Sequence, residues 1–157
     1  MRHLLFALLA ATLAACSPGA GGASPSATNA VHPESGLEVI PLTVTSASGT
    51  HRFKVEVARS AMEQAKGLMF RTKLGPDEGM IFPMNPPRGA SFWMKNTVIS
   101  LDLIFVAPDG RIANIAANAV PYDLKPLLSV GQVKAVLEIP GGRATELGIA
   151  PGDKVAW

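Results

Sequence analysis

A mostly β domain, a sandwich or closed barrel of about eight short strands with one short helix, is the fold class that this sequence predicts. Three observations carry it. From residue 37 onward, short apolar runs alternate with turns rich in Gly, Pro, Asn, Asp and Ser, which is strand spacing. The clearest helix signal is a single one of about two turns. No internal repeat and no coiled-coil heptad breaks the pattern.

The elements follow in chain order. Residues 37–45 form a first strand, bent or at an edge because Pro41 lacks an N–H. Residues 51–58 alternate, with Phe53, Val55 and Val57 on one face and Arg52, Lys54 and Glu56 on the other. Ser48-Gly49-Thr50 joins the two as a hairpin. Ser60 with Glu63 makes a capping box for a helix over 60–66, and Gly67 can close it. Short strands over 79–82 and 91–95 flank a proline-rich loop, Pro83-Met84-Asn85-Pro86-Pro87. Residues 99–106 make a strong strand that turns through Pro108-Asp109-Gly110 into 111–116. A strand over 133–139 is broken by Gly141-Gly142, and residues 143–147 suit one helical turn. Pro151-Gly152-Asp153 then leads into a last strand, 154–157.

The first 36 residues have a different composition. Met1-Arg2-His3 is a short basic start, and residues 4–15 are apolar apart from Thr12. The run is shorter than the roughly 20 residues a membrane span needs, and its length and flanks suit a secretory signal peptide, residues 1–15. It ends in Leu13-Ala14-Ala15-Cys16, which resembles a bacterial lipobox, so Cys16 is the expected lipidation site. Cys16 is the one cysteine in the sequence, and lipidation accounts for an odd thiol in an exported chain. Residues 17–36 are built of Ser, Pro, Gly, Ala and Thr, and Val31 is their one bulky apolar residue. Residues 16–36 thus read as a lipidated cysteine on a flexible tether with a reach of about 25 Å, and residues 37–157 as a single domain. Ser17 after the cysteine, where an aspartate commonly retains lipoproteins at the inner membrane, points to the periplasmic face of the outer membrane. The formal charge of +2 falls to +1 without Arg2, and no basic run is present. Nucleic acid is therefore not an expected partner; the membrane is, through Cys16.

Several short motifs stand out in the folded part. They are Gly67-Leu68-Met69-Phe70-Arg71, Gly79-Met80-Ile81-Phe82, Phe92-Trp93-Met94-Lys95-Asn96-Thr97, Leu101-Asp102, Asp109-Gly110, Val136-Leu137-Glu138 and Gly152-Asp153. In this order they resemble the bacterial and archaeal family called domain of unknown function 192, over roughly residues 50–157. The resemblance implies a compact, jelly-roll-like β domain on exported or lipid-anchored proteins. It implies no activity and transfers no catalytic residue.

The residues themselves narrow the chemistry. Between Arg52 and Trp157 there is no histidine and no cysteine, which argues against triad hydrolysis and against zinc or iron sites. No phosphate-binding glycine loop occurs, and no cofactor is expected. Met69, Met80, Met84 and Met94 fall within 26 residues, a soft set that would suit Cu(I), but their spacing suits core filling better. Two acids lie in apolar strands. Asp102 shares a face with Ser100, Ile104 and Val106, and Glu138 shares one with Lys134 and Val136. A buried acid needs a partner, and Arg71 and Lys95 are candidates. By the same parity Trp93 and Lys95 face away from Phe92, Met94 and Asn96.

Arg71, Trp93, Lys95, Asn96, Asp102 and Glu138 are therefore the candidate binding residues. Three readings stay open. The leading one is a non-catalytic module that binds a small polar ligand or an envelope partner. The second is a hydrolase with Asp102 and Glu138 as its two acids, which requires both carboxyls in one cleft about 5–10 Å apart. The third is a structural envelope protein, which requires an exposed apolar patch.

Overall fold

The computed structural model describes residues 30–157. The signal segment, Cys16 and most of the tether lie outside the described residues. The chain runs β1 (Ala30–Val31), β2 (Glu38–Ser46), β3 (Gly49–Val57), α1 (Ala61–Lys66), β4 (Glu78–Arg88), β5 (Ser91–Phe92), β6 (Leu101–Val106), β7 (Ile112–Ala119), β8 (Leu127–Leu128), β9 (Val133–Pro140), α2 (Arg143–Glu146) and β10 (Lys154–Ala156). The fold is mostly β, as the alternating runs predict.

Eight strands form one mixed sheet in the order β1-β2-β3-β4-β9-β6-β7, with β10 also paired to β2; β5 and β8 pair separately. β3 and β4 run parallel, and the other pairs are antiparallel. Pro41 falls on the stretch of β2 that neither β1 nor β10 pairs on its outer edge, which is where a residue without an N–H is tolerated. At the other margin the Ile112 N–H donates to Asp153 and the Val155 N–H to Gly110, 2.9 and 2.8 Å. The β7 and β10 margins of the sheet therefore meet there, across an Arg111–Lys154 bridge.

Successive strand residues point to opposite faces, and β4, β6 and β9 are apolar on both. Ile81, Ile104, Leu137 and Ile139 join Leu42, Val44, Phe53, Val55 and Val155 in one core cluster. Met80, Phe82, Leu103, Phe105 and Val136 join Leu68, Met84 and Met94 in a second. Three of the four clustered methionines are thus core filling.

Several boundaries differ from expectation. The proline-rich segment 83–87 belongs to β4, an irregular strand whose pairing to β9 shifts between Pro83 and Arg88. The strand expected over 91–95 stops at Phe92, because Lys95 and Asn96 form a turn with Asn96 at φ 55°. The β2–β3 turn is Ala47-Ser48, since Ser46 already pairs with Gly49. Helix α1 carries the expected capping box: Ser60 Oγ accepts from the Glu63 N–H at 3.2 Å, and Glu63 Oε2 accepts from the Ser60 N–H at 2.7 Å.

The end of the tether is folded as well. Ala30 and Val31 pair with Val39 and Glu38. The His32 and Gly36 N–H groups bond to Leu37 and His32 at 2.8 Å. Composition could not reveal this, because the segment is held by polar contacts rather than by apolar burial. Ser35 Oγ donates to Glu56, and Glu34 pairs with Arg71 at 3.2 Å.

Candidate functional site

Glu138 sits in the middle of β9, opposite Met80 of β4 and Leu103 of β6. It faces the second core cluster rather than the first. Only 5% of it is exposed, yet among the described residues it has no hydrogen-bond or ion-pair partner. It lines a cavity of about 410 Å³ instead. Loss of water raises its pKa from 4.5 to about 8, because a low-dielectric site disfavours the charged form. At neutral pH the carboxyl is mostly protonated and can donate as well as accept a hydrogen bond.

Three segments form the cavity wall around it. Gly67, Leu68 and Met69 come from the loop after α1. Phe82 and Met84 come from β4, and Phe92, Trp93 and Thr97 from the β5 segment. Phe92 stands edge-on to Phe82 and Phe105, with ring centres 5.1 and 6.4 Å apart. Lys66 and Arg88 line the same cavity, are exposed, and have no hydrogen-bond or ion-pair partner among the described residues.

Backbone bonds lace the loops at this end together. The Phe70 N–H donates to the Asn96 carbonyl at 2.8 Å, the Tyr122 N–H to Thr97 at 3.2 Å, and the Met94 N–H to Asp123 at 2.8 Å. Phe70, Asn96 and Tyr122 all have positive φ, 63°, 55° and 63°. For the two aromatic residues this is an uncommon and strained conformation, and strained backbone gathers at functional sites. The two longest motifs of the sequence, 67–71 and 92–97, therefore meet at one cavity.

The six candidate residues divide. Glu138 and Trp93 line the cavity. Lys95 is exposed and lies over the Trp93 ring at 5.2 Å, so Trp93 and Lys95 do share an outer face while Met94 is buried. Asn96 holds the neighbouring loop, through its carbonyl and through an amide contact to Met69 Sδ at 3.8 Å. Arg71 pairs with neither expected acid. Its guanidinium forms a two-pronged pair with Glu56, 2.9 and 3.1 Å, and His32 Nε2 lies 3.4 Å away. Glu56 lies on the strand face opposite Phe53 and Val55, and the N-terminal segment covers it.

Asp102 is sealed. It is 0% exposed, and its carboxylate accepts from the N–H groups of Asn118, Gly142 and Ala144 at 2.7, 2.9 and 2.8 Å. It lies opposite Ile139, which belongs to the first cluster, so Asp102 and Glu138 project from opposite faces of the sheet. The paired-acid hydrolase reading is thereby overturned. Sequence parity within each strand could not show this, because it required the register between β6 and β9.

Among the described residues, no three of His, Cys, Asp and Glu gather as metal ligands would. No helix among them is long and apolar enough to cross a membrane. Of the cavity residues absent from the six, Met84 stands in the methionine set and Phe92 and Thr97 in the 92–97 motif, while Lys66 and Arg88 carry no sequence signal of their own. These residues come together from α1, β4, β5 and the segment after β5 at one cavity.

The model of the domain of unknown function 192 family, described as Uncharacterized ACR, matches residues 43–157. No curated protein matches the chain. A crystal structure of a protein of unknown function from Novosphingobium aromaticivorans DSM 12444 is similar: 61% identical, TM-score 0.82, over 89% of this chain and 100% of that one. A Sinorhizobium meliloti 1021 structure, provisionally described as a transcription regulator, is 38% identical with a TM-score of 0.74, over 76% of this chain and 94% of that one.

Proposed function

This chain belongs to the domain of unknown function 192 family, a membership that assigns no activity, and we propose from the site's geometry that it is a non-catalytic module binding a small ligand with a polar end, held outside the cytoplasm by a lipid on Cys16. One observation carries the binding reading: Glu138, 5% exposed and without a side-chain partner among the described residues, lines a cavity of about 410 Å³. Concave, mostly apolar sites with a few polar groups are the usual form of small-ligand sites, and Phe82, Met84 and Phe92 supply apolar wall. The sealed Asp102 leaves Glu138 without a second acid, and no histidine or cysteine follows His51 to serve as base or nucleophile.

The anchor reading rests on residues 1–16. A basic start, a short apolar run and Leu13-Ala14-Ala15-Cys16 support export and lipidation, and Ser17 supports the outer membrane. The regulator description of the Sinorhizobium relative is not carried over, because this chain has no basic run.

A thermal-shift series on the mature chain, against amino acids, amines, sugars and peptidoglycan fragments, tests the binding reading. A ligand at about 100 times its Kd stabilises the fold by roughly 2.7 kcal/mol, and Glu138→Gln should markedly reduce that shift. No shift with any compound overturns the reading. Labelling with a fatty-acid analogue, with and without Cys16→Ser, tests the anchor.

A second reading has an observation of its own. Val120, Tyr122, Leu124, Leu128 and Val130 are all exposed, in the segment that pairs with β5 through β8. Such a row suits an envelope partner docking beside the cavity.

A further inference from the structure

Five polar or charged residues are buried among the described ones: Glu56, Arg71, Thr97, Asp102 and Glu138. Four are satisfied from within. Glu56 and Arg71 bind each other, Asp102 takes three backbone N–H groups, and Thr97 donates to the Lys95 carbonyl. Glu138 alone is left, and it faces a cavity.

What would satisfy it follows from its surroundings. Directly across the sheet it meets Met80 and Leu103, which offer no hydrogen bond. The cavity wall beside it is Leu68, Phe82, Met84 and Phe92. The charged groups that line the cavity with it are Lys66 of α1 and Arg88 of β4, both exposed. Going inward, the site thus presents exposed cations, apolar walls and one acid, none of the charged groups paired among the described residues.

Resting on the ligand-binding reading, we propose that the cavity takes a small zwitterion: a primary ammonium against the Glu138 carboxylate, an apolar body along Phe82, Met84 and Phe92, and an anionic group at Lys66 and Arg88. An inner ammonium supplies the hydrogen bonds and the countercharge that a desolvated carboxylate lacks. A ligand with an inner carboxylate would bring its anion against the buried acid, away from the two exposed cations. An uncharged ligand would leave the two cations unused. The raised pKa adds a signature. Near pH 7 Glu138 holds its proton, so forming the ammonium–carboxylate pair releases that proton to solvent, about one per ligand bound.

Three probes of equal chain length separate the features: 6-aminohexanoate, hexylamine and hexanoate. Titration calorimetry on the mature chain should rank them in that order, with hexanoate not detectable. Repeating the 6-aminohexanoate titration at pH 7 in buffers of different ionisation enthalpy should show about one proton released. Glu138→Gln should weaken 6-aminohexanoate roughly tenfold to a hundredfold. The double change Lys66→Ala with Arg88→Ala should reduce it to the affinity of hexylamine. The wild-type ranking and the proton count need no variant, so they decide the matter even if Glu138→Gln is poorly folded. Binding of hexanoate at or above hexylamine, proton uptake, or a library compound that binds while none of the three does overturns the zwitterion and leaves the binding reading standing. If neither the probes nor any library compound binds, both fall together.

Discussion

Asp102 Oδ2 accepts the Ala144 N–H at 2.8 Å, across 42 residues of chain. With its other oxygen bound to the Asn118 and Gly142 N–H groups, this carboxylate ties β6 to the start of α2 and to the end of β7. It does for a four-residue helix what a local cap would otherwise do, since Gly142 has no side chain to offer. Asp102→Asn keeps the shape but turns one acceptor into an amide that meets the Ala144 N–H with donors of its own. Chemical denaturation should show a loss of about 2–4 kcal/mol. Ligand binding by the folded fraction should be unchanged, because Asp102 lies on the face away from the cavity.

Glu56 and Arg71 make the corresponding tie on the other side. Both are buried, and their two-pronged geometry leaves little solvent screening. Removing one partner strands the other, so Glu56→Ala should destabilise by about 3–5 kcal/mol. The joint replacement Glu56→Leu with Arg71→Met should recover much of that loss. Denaturant midpoints of Glu56→Ala and of the double variant check this; equal midpoints for the two would sink it.

These two carboxylates show what could be read from the sequence and what could not. Strand existence was legible because apolar alternation is a local property, and the capping box of Ser60 and Glu63 was legible for the same reason. Asp102 and Glu138 were recognisable as acids in apolar strands, and thus as residues in need of a partner. Which partner each finds depends on register. Glu138 lies opposite Leu103, one residue along from Asp102, and that one residue sends the two side chains to opposite faces. Parity sets Glu56 opposite Phe53, Val55 and Val57, but parity tells sides apart and not which side is covered. The cover is residues 32–35, whose composition resembles a loose tether and whose attachment is polar.

Glu138 should make the fold less stable as pH rises. An unfolded glutamate titrates near 4.5 and this folded one at about 8. Below 4.5 both states hold the proton, and burying the neutral acid incurs no charge penalty. Between 4.5 and 8 the unfolded chain gives up its proton while the folded chain keeps it, so stability falls by up to about 1.4 kcal/mol per pH unit. Above 8 both are ionised and the dependence levels off. The other charged groups that line the cavity, Lys66 and Arg88, are exposed. Glu138→Gln should therefore have a flatter profile from pH 5 to 8 and exceed the wild type in stability at pH 8.5. Urea denaturation of both proteins across that range measures it. A wild-type profile parallel to that of Glu138→Gln would show that Glu138 keeps its ordinary pKa.

Adjacent residues of the 92–97 motif should separate stability from binding. Phe92 stacks edge-on with Phe82 at an interplanar angle of 83° and with Phe105 at 81°, so it ties β5 to the second core cluster. Truncating it removes those contacts and opens the cavity floor, and Phe92→Ala should lose about 2–4 kcal/mol. Trp93 is 51% exposed and borders the same cavity from outside. Its partner is the Lys95 ammonium at 5.2 Å, an exposed pairing of about 0.5–1 kcal/mol. Trp93→Ala should therefore shift the denaturation midpoint little while weakening any ligand that lies against the cavity rim. Denaturation and ligand titration on both variants provide the comparison. The opposite pattern, a stable Phe92→Ala and an unfolded Trp93→Ala, would mean that the motif turns its other face to the core. In that case the cavity would lose the aromatic side chain that now marks its rim.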